Sequence, residues 1–81
     1  MSKFKKKRLL EVEWLDASHY SGWQKAKDCV NDKPMATRSV GWKVPSPKGV
    51  LVIVGSQSEY DEVSGREIIP RKYIKLIRRL E

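Results

Sequence analysis

The chain has 81 residues, one cysteine and a formal net charge of +7. This length suits one domain with a modest core and is too short for a deep active-site cleft, which disfavours an enzyme. A single cysteine excludes an internal disulfide, and no apolar run approaches the roughly 18 residues of a membrane span. We therefore expect a non-enzymatic, cytoplasmic protein with no membrane segment and no cofactor.

Basic residues are concentrated at the two ends of the chain. Residues 1–8 hold five basic residues and no acidic one, whereas residues 66–81 hold six basic residues and two acidic ones. We do not expect a signal peptide, because the basic start is followed by LLEVEWLD, which carries charge where an apolar core is required. We predict a basic N-terminal tail at 1–8 and a single domain at 9–81. The tail is either a disordered solubilising segment or part of a binding surface.

The first predicted strand covers LEVEWL at residues 10–15. Apolar and acidic residues alternate there with a period of two, which indicates a strand with one buried face. Leu10, Val12 and Trp14 are predicted to form that face.

A short helix is predicted after the first strand. Ser21 followed by Gln24 is a capping-box pattern, and Pro34 closes the segment. One side of the helix is expected to carry Trp23, Ala26 and Val30. We predict two or three turns, with Trp23 either packed on the barrel or displayed for binding.

The second predicted strand is ATRSVGWKV at residues 36–44. Its alternation places Val40, Trp42 and Val44 on one face, which we expect to be buried. Gly41 inside this strand suggests a bulge or a sharp bend.

A turn at residues 45–49 (PSPKG) leads to a third predicted strand, VLVIV at residues 50–54. Its continuous apolar and β-branched content predicts a central strand covered on both faces. The polar segment at residues 55–65 is predicted to be a mobile, solvated loop. Its acidic residues Glu59, Asp61 and Glu62 lack the regular spacing of a calcium loop.

The segment EIIPRKYIKLI at residues 67–77 predicts a strand, a one-turn corner and a last strand. Pro70 cannot donate to a β-ladder, and the three residues after it suit a single 3₁₀ turn. In the last strand, Ile74 and Leu76 are predicted to share one face, with Lys75 and Ile77 on the other.

This closing segment resembles that of SH3-like barrels. Pro70 and Tyr73 match the proline and tyrosine that line the peptide groove of SH3 domains, and Ile74 matches the buried aliphatic that follows. The resemblance implies a mainly β protein: a small five-stranded barrel whose first and last strands pair, with a 3₁₀ turn before the last strand. The short helix predicted between strands 1 and 2 from its own sequence pattern is an insertion foreign to SH3 domains. The acidic loop and paired tryptophans that hold polyproline ligands are not recognisable.

The wider pattern of VEWLDA, SVGW and IP followed by spaced isoleucines resembles short proteins of tailed bacteriophages. This resemblance implies a setting in the host-cell cytoplasm and a binding role, without indicating a specific activity.

Candidate catalytic and metal-binding residues are few. Asp16, Ser18 and His19 are too crowded on one short segment to form a catalytic triad, which depends on geometry. His19 and Cys29 lack the further ligands that a zinc site requires. We predict neither a catalytic site nor a metal site.

Two binding functions remain. In the first, clustered cations neutralise nucleic-acid phosphates and aromatic rings stack on unpaired bases. In the second, the basic surface binds an acidic host protein. A small-nucleotide sponge formed by an oligomer is a third reading, and the oligomeric state stays open. The candidate binding residues are Lys5, Lys6, Lys7, Arg8, Tyr20, Trp23, Arg71, Lys72, Tyr73, Lys75, Arg78 and Arg79.

Overall fold

The computed structural model describes residues 2–16, 23, 25–29 and 34–81. The fold is mainly β, as predicted. In chain order the elements are β1 (Leu9–Asp16), α1 (Ala26–Cys29), β2 (Met35–Lys43), β3 (Val50–Val54), β4 (Ser56–Gln57), β5 (Val63–Ser64), β6 (Glu67–Pro70), a 3₁₀ turn (Arg71–Tyr73) and β7 (Ile74–Arg79). None of the helices in the described part of the chain has the length and apolar content to cross a membrane.

Five strands form one antiparallel sheet in the order β6-β3-β2-β1-β7. The predicted pairing of the first and last strands is confirmed by the register of β1 with β7. The predicted closed barrel is not seen. Closure would require β6 and β7 to pair, but the 3₁₀ turn between them leads the chain from one edge of the sheet to the other.

The core lies on one face of this sheet. As predicted, Leu10, Val12 and Trp14 of β1 are buried together. They pack against residues of β3 and β6, and Ile74 of β7 covers the edge of the cluster. Residues 51–54 of β3 are all buried, which confirms the central strand predicted from its apolar run.

The face of β2 that was predicted to be buried is the outer one. Val12 pairs with Ser39 and Leu10 pairs with Gly41, so these two small residues face the core. Val40 lies on the opposite face and is 53% exposed. The alternation of residues shows which of them share a face of the strand. Which face is buried depends on the neighbouring strands, and here β3 passes very close to β2.

Gly41 permits that close approach rather than a bulge. The β1–β2 register runs without interruption past Gly41. A Cβ atom at this position would lie 2.8 Å from the carbonyl oxygen of Val54 in β3. The predicted bulge is therefore wrong, and the glycine is required because the β3 backbone occupies the space of a side chain.

A bulge occurs instead in β7. Trp14 pairs with Ile74 and the preceding residue, Glu13, pairs with Leu76, so Lys75 is the extra residue. The bulge reverses the alternation and places Ile77 opposite the buried Val12. The prediction that Ile74 and Leu76 share a face is therefore wrong, because it assumed a regular strand.

The predicted two- or three-turn helix is not seen. α1 is a single turn of four residues. The predicted cap at Ser21, with Gln24 and Val30, lies outside the described residues, as do Ser18, His19 and Tyr20. Trp23 is fully exposed.

The segment predicted to be an irregular loop is a small hairpin formed by β4 and β5. Its turn, residues 58–62, is called the acidic tip below. The Ser58 N–H donates to the carbonyl of Glu62 at 2.7 Å, and the Asp61 N–H donates to the carbonyl of Ser58 at 3.1 Å. The tip thus has a defined backbone conformation.

Candidate functional site

Residues 2–8, called the arm below, run ahead of β1 and are hydrogen-bonded to the rest of the domain. The Arg8 carbonyl accepts a hydrogen bond from the Lys43 N–H of β2 at 2.8 Å. The Lys5 carbonyl accepts one from the Gln57 side-chain amide of β4 at 3.0 Å. The arm is therefore attached at two points, and its lysines are held at a defined place on the surface.

Four arm residues line an open groove of about 420 Å³, together with the segment that follows β2. Its charged residues are five cations and one carboxylate, so the groove attracts anions. Lys43 was not identified from the sequence, because it lies in a strand remote from either basic end. The groove is lined by Lys5, Lys6, Lys7, Arg8, Lys43, Val44, Pro45 and Asp61.

Three ion pairs connect the arm to the acidic tip; together they are called the clasp. Lys3 Nζ lies 3.6 Å from Glu59 Oε2, and Lys5 Nζ lies 3.7 Å from Asp61 Oδ2. Lys7 Nζ lies 2.5 Å from Asp61 Oδ1, and the Lys7 side chain is only 12% exposed. The most enclosed lysine of the arm thus makes the shortest contact with the tip.

The clasp lowers the pKa of Asp61. The hydrogen bond from Lys7 is the largest cause; desolvation opposes it, and the charges of Lys7 and Lys5 lower the pKa further. The Asp61 carboxylate is therefore favoured by its pairing with the arm and is retained to lower pH than that of a free aspartate.

A second cleft, of about 340 Å³, lies beside the groove and shares Lys5, Lys6 and Lys7 with it. Its other lining residues are Phe4, Trp42, Gln57 and Glu81. Phe4 is 51% exposed, so an aromatic face is available next to the cations. Sequence reasoning missed Phe4, although a lone aromatic residue within a lysine run was a usable signal.

Only some of the basic residues near the C-terminus lie close to the arm. Because β7 runs antiparallel to β1, Arg79 pairs with Leu10, and the Leu80 N–H donates to the Leu9 carbonyl at 3.0 Å. Arg78 and Arg79 therefore lie near the start of β1, where the arm ends. The 3₁₀ turn with Arg71 and Lys72 lies at the opposite end of β7, about 20 Å away at 3.3 Å per strand residue.

Arg78 is engaged within the domain. Its guanidinium lies 2.6 Å from a carboxylate oxygen of Glu11. Arg38 of β2 also contacts Glu11, at 3.8 Å, and Glu13, at 3.2 Å. These residues form a row of alternating charges on the outer face of the sheet, which reduces the charge that Arg78 can offer a ligand.

None of the remaining predicted site residues that the structure describes lines the groove. Tyr73 is 38% exposed, and Lys72 Nζ lies 5.2 Å from the centre of its ring. Lys75 is the exposed bulge residue beside Trp14. Trp23 is exposed in the segment before α1, and Tyr20 is not among the described residues.

Comparison of the chain with protein-family models, with curated proteins and with solved structures gives no match in any of the three. Within the described ranges, no three His, Cys, Asp or Glu side chains are grouped as metal ligands. The groove is therefore the feature of the described residues that best indicates a function.

Proposed function

We propose that this protein is a small non-enzymatic binding module that binds nucleic acid through its arm. The observation that carries the proposal is the open groove in which five cations accompany a single carboxylate. Lysine and arginine clusters neutralise phosphates, and exposed aromatic rings stack on unpaired bases. Phe4 supplies such a ring in the adjoining cleft.

We also propose that the domain is related to SH3-like modules. It is supported by the pairing of the last strand with the first and by the 3₁₀ turn that carries Tyr73 before the last strand. We further propose that the protein is encoded by a bacteriophage and acts in the cytoplasm of the host cell. The basis for this is the sequence resemblance to short phage proteins described above.

The arm is the principal binding surface, and the far end of β7 is secondary. Lys6 and Arg8 are exposed and lie in the groove, so their charges are available to phosphates. Lys72 and Lys75 are also exposed, but they lie at the opposite end of β7. A short oligonucleotide bound at the arm does not need to reach them.

The test compares two variants that each remove two positive charges, one pair from the arm and the other pair from the far end of β7. Labelled single- and double-stranded DNA and RNA are titrated at two salt concentrations with the wild type, with Lys6→Ser/Arg8→Ser and with Lys72→Ser/Lys75→Ser. Each lost phosphate contact reduces the slope of log affinity against log salt by about 0.7 to 0.9. We expect Lys6→Ser/Arg8→Ser to lose up to two phosphate contacts, with the corresponding reduction in slope. We expect Lys72→Ser/Lys75→Ser to keep a slope close to that of the wild type.

Thermal unfolding of both variants checks that the fold is retained. The proposal is wrong if the wild type shows no salt-dependent binding to any nucleic acid at low ionic strength. If the two variants weaken binding equally, the arm is not the principal binding surface.

An acidic host protein is the second candidate partner. The clasp supports this candidate because it shows that the arm lysines can bind the carboxylates of a peptide segment. Glu59 and Asp61 belong to a peptide segment that already pairs with arm lysines. A pull-down from host lysate with the wild type and with Lys6→Ser/Arg8→Ser tests this alternative. A protein retained by the wild type and lost with the arm variant, without nucleic-acid binding, would support it.

A further inference from the structure

We propose that the acidic tip is an internal competitor that occupies three lysines of the arm, so that nucleic acid reaches these lysines only by displacing the tip. This inference rests on the nucleic-acid function proposed above and adds the regulation of the same site. Carboxylate and phosphate oxygens accept the same charge-assisted hydrogen bonds from lysine. A lysine paired with the tip therefore cannot make its full contact with a phosphate.

The two partners of the clasp match residue for residue. Lys3 pairs with Glu59 and Lys5 pairs with Asp61, so two cations separated by one residue meet two carboxylates with the same separation. Lys7 adds a second contact to Asp61. The tip thus engages three of the arm lysines, and two of these, Lys5 and Lys7, also line the groove.

The tip backbone holds Asp61 in the position that the arm requires. Asp61 has a φ of 61°, in the left-handed region that few residues other than glycine adopt, although aspartate and asparagine tolerate it. The Ser58 hydroxyl accepts hydrogen bonds from the N–H groups of Tyr60 and Glu62, each at 3.2 Å. The carboxylate is therefore presented by a shaped turn and not by a flexible chain.

Release of the clasp is feasible because most of it is exposed. The Lys3 and Lys5 side chains are 77% and 75% exposed, and ion pairs at such positions are weak and are screened by salt. The backbone attachments of the arm at Lys5 and Arg8 do not involve the tip carboxylates. The arm can thus exchange its anionic partner while staying on the domain.

Asp61→Asn is the direct test, and Glu62→Gln is its matched control. Both variants remove one negative charge from the tip, but only Asp61 belongs to the clasp. Asparagine also tolerates the left-handed conformation of this position. Apparent affinity scales with the fraction of protein in the competent state, so opening the clasp raises it.

We expect Asp61→Asn to bind a labelled single-stranded DNA oligonucleotide about 3 to 10 times more tightly than the wild type. The slope of log affinity against log salt should become steeper by about 0.7 to 0.9 for each lysine that is freed. Glu62→Gln should change the affinity by less than about twofold. Glu59→Gln, which opens the Lys3 pair, is a second clasp variant and should give a smaller increase than Asp61→Asn.

The possible results separate this inference from the proposed function. If the wild type binds with salt dependence but Asp61→Asn and Glu62→Gln strengthen binding equally, the competitor role is wrong and the nucleic-acid function stands. Weaker binding by Asp61→Asn would show that the tip positions the arm for its ligand, which also overturns the inference. If no variant binds, both proposals fail.

Discussion

The indole nitrogen of Trp14 donates a hydrogen bond to the hydroxyl of Ser39, and the two atoms lie 3.1 Å apart. The same hydroxyl donates to a carboxylate oxygen of Glu67 at 3.0 Å. This polar chain joins β1, β2 and β6 within the otherwise apolar side of the sheet. It explains how a serine can occupy a buried position opposite Val12.

Ser39→Ala should lower the free energy of unfolding by about 1 to 3 kcal/mol, because it leaves the Trp14 N–H without its acceptor. Urea denaturation monitored by tryptophan fluorescence measures this effect. Ser56→Ala, at an exposed position in β4, should change stability by less than about 0.5 kcal/mol. Equal effects of the two substitutions would contradict the role assigned to Ser39.

Gly41→Ala should destabilise the protein by about 1 to 3 kcal/mol, because the new Cβ atom would overlap the carbonyl of Val54. Gly55→Ala is the control, since a Cβ atom there would meet nothing within 4 Å. Thermal unfolding of both variants tests the close approach of β2 and β3. A stability near that of the wild type for Gly41→Ala would show that the strands can separate at no cost.

Ile53→Ala should lower the free energy of unfolding by about 2 to 4 kcal/mol through the cavity it leaves in the core. Ile53 is 1% exposed, whereas Ile68 in the neighbouring β6 is 53% exposed. Ile68→Ala should therefore cost much less in the same denaturant experiment. A loss within about 0.5 kcal/mol for Ile53→Ala would place this residue at the surface.

The clasp should be stable at neutral pH and open in acid. The pKa of Asp61 is lowered in the folded protein, so its contribution is present above the ordinary aspartate pKa of about 3.9 and is lost as the pH falls through the lower folded value. NMR titration of the Asp61 carboxyl carbon measures this transition. Lys7→Ser should raise the pKa of Asp61, and an unchanged value would exclude Lys7 as the main cause.

Phe4→Ala should weaken binding of single strands more than binding of duplex, because loss of a stacking ring costs about 1 to 3 kcal/mol per base. Tyr73→Ala removes an aromatic ring at the opposite end of β7 and should have a smaller effect on short oligonucleotides. The two variants are compared by fluorescence anisotropy at one salt concentration. A larger loss with Tyr73→Ala would move the stacking site to the 3₁₀ turn, where Tyr73 is one of the candidate binding residues predicted from the sequence.

The strands could be predicted from the sequence because the period of two is a local property. Which face of each strand is buried could not be predicted as well. In β2 the larger residues Val40 and Trp42 suggested the core face, but the register with β1 places Ser39 and Gly41 there, and the β3 backbone leaves no space for a side chain at Gly41. In β7 the single inserted residue at Lys75 reversed the alternation, and nothing in IKLIRR marks it.

The candidate site could be predicted only where it depends on local sequence. The lysines of the arm follow directly from composition, and they do line the groove. Their pairing with the tip joins residues more than 50 positions apart, which no local pattern shows. The sequence did contain one indication of this pairing. Lysines in the basic N-terminal segment and carboxylates in the acidic loop recur with the same spacing, and opposite charges of similar spacing can pair.

The bulge at Lys75 also bears on the solubility of the isolated chain. Among the described residues, β6 and β7 are the two edges of the sheet, and unpaired edges are templates for adding strands from other molecules. β6 ends at Pro70, which has no N–H to offer, and β7 is irregular at Lys75 and charged at Arg78 and Arg79. Both edges thus discourage edge-to-edge aggregation, even though the sheet does not remove its edges by closing.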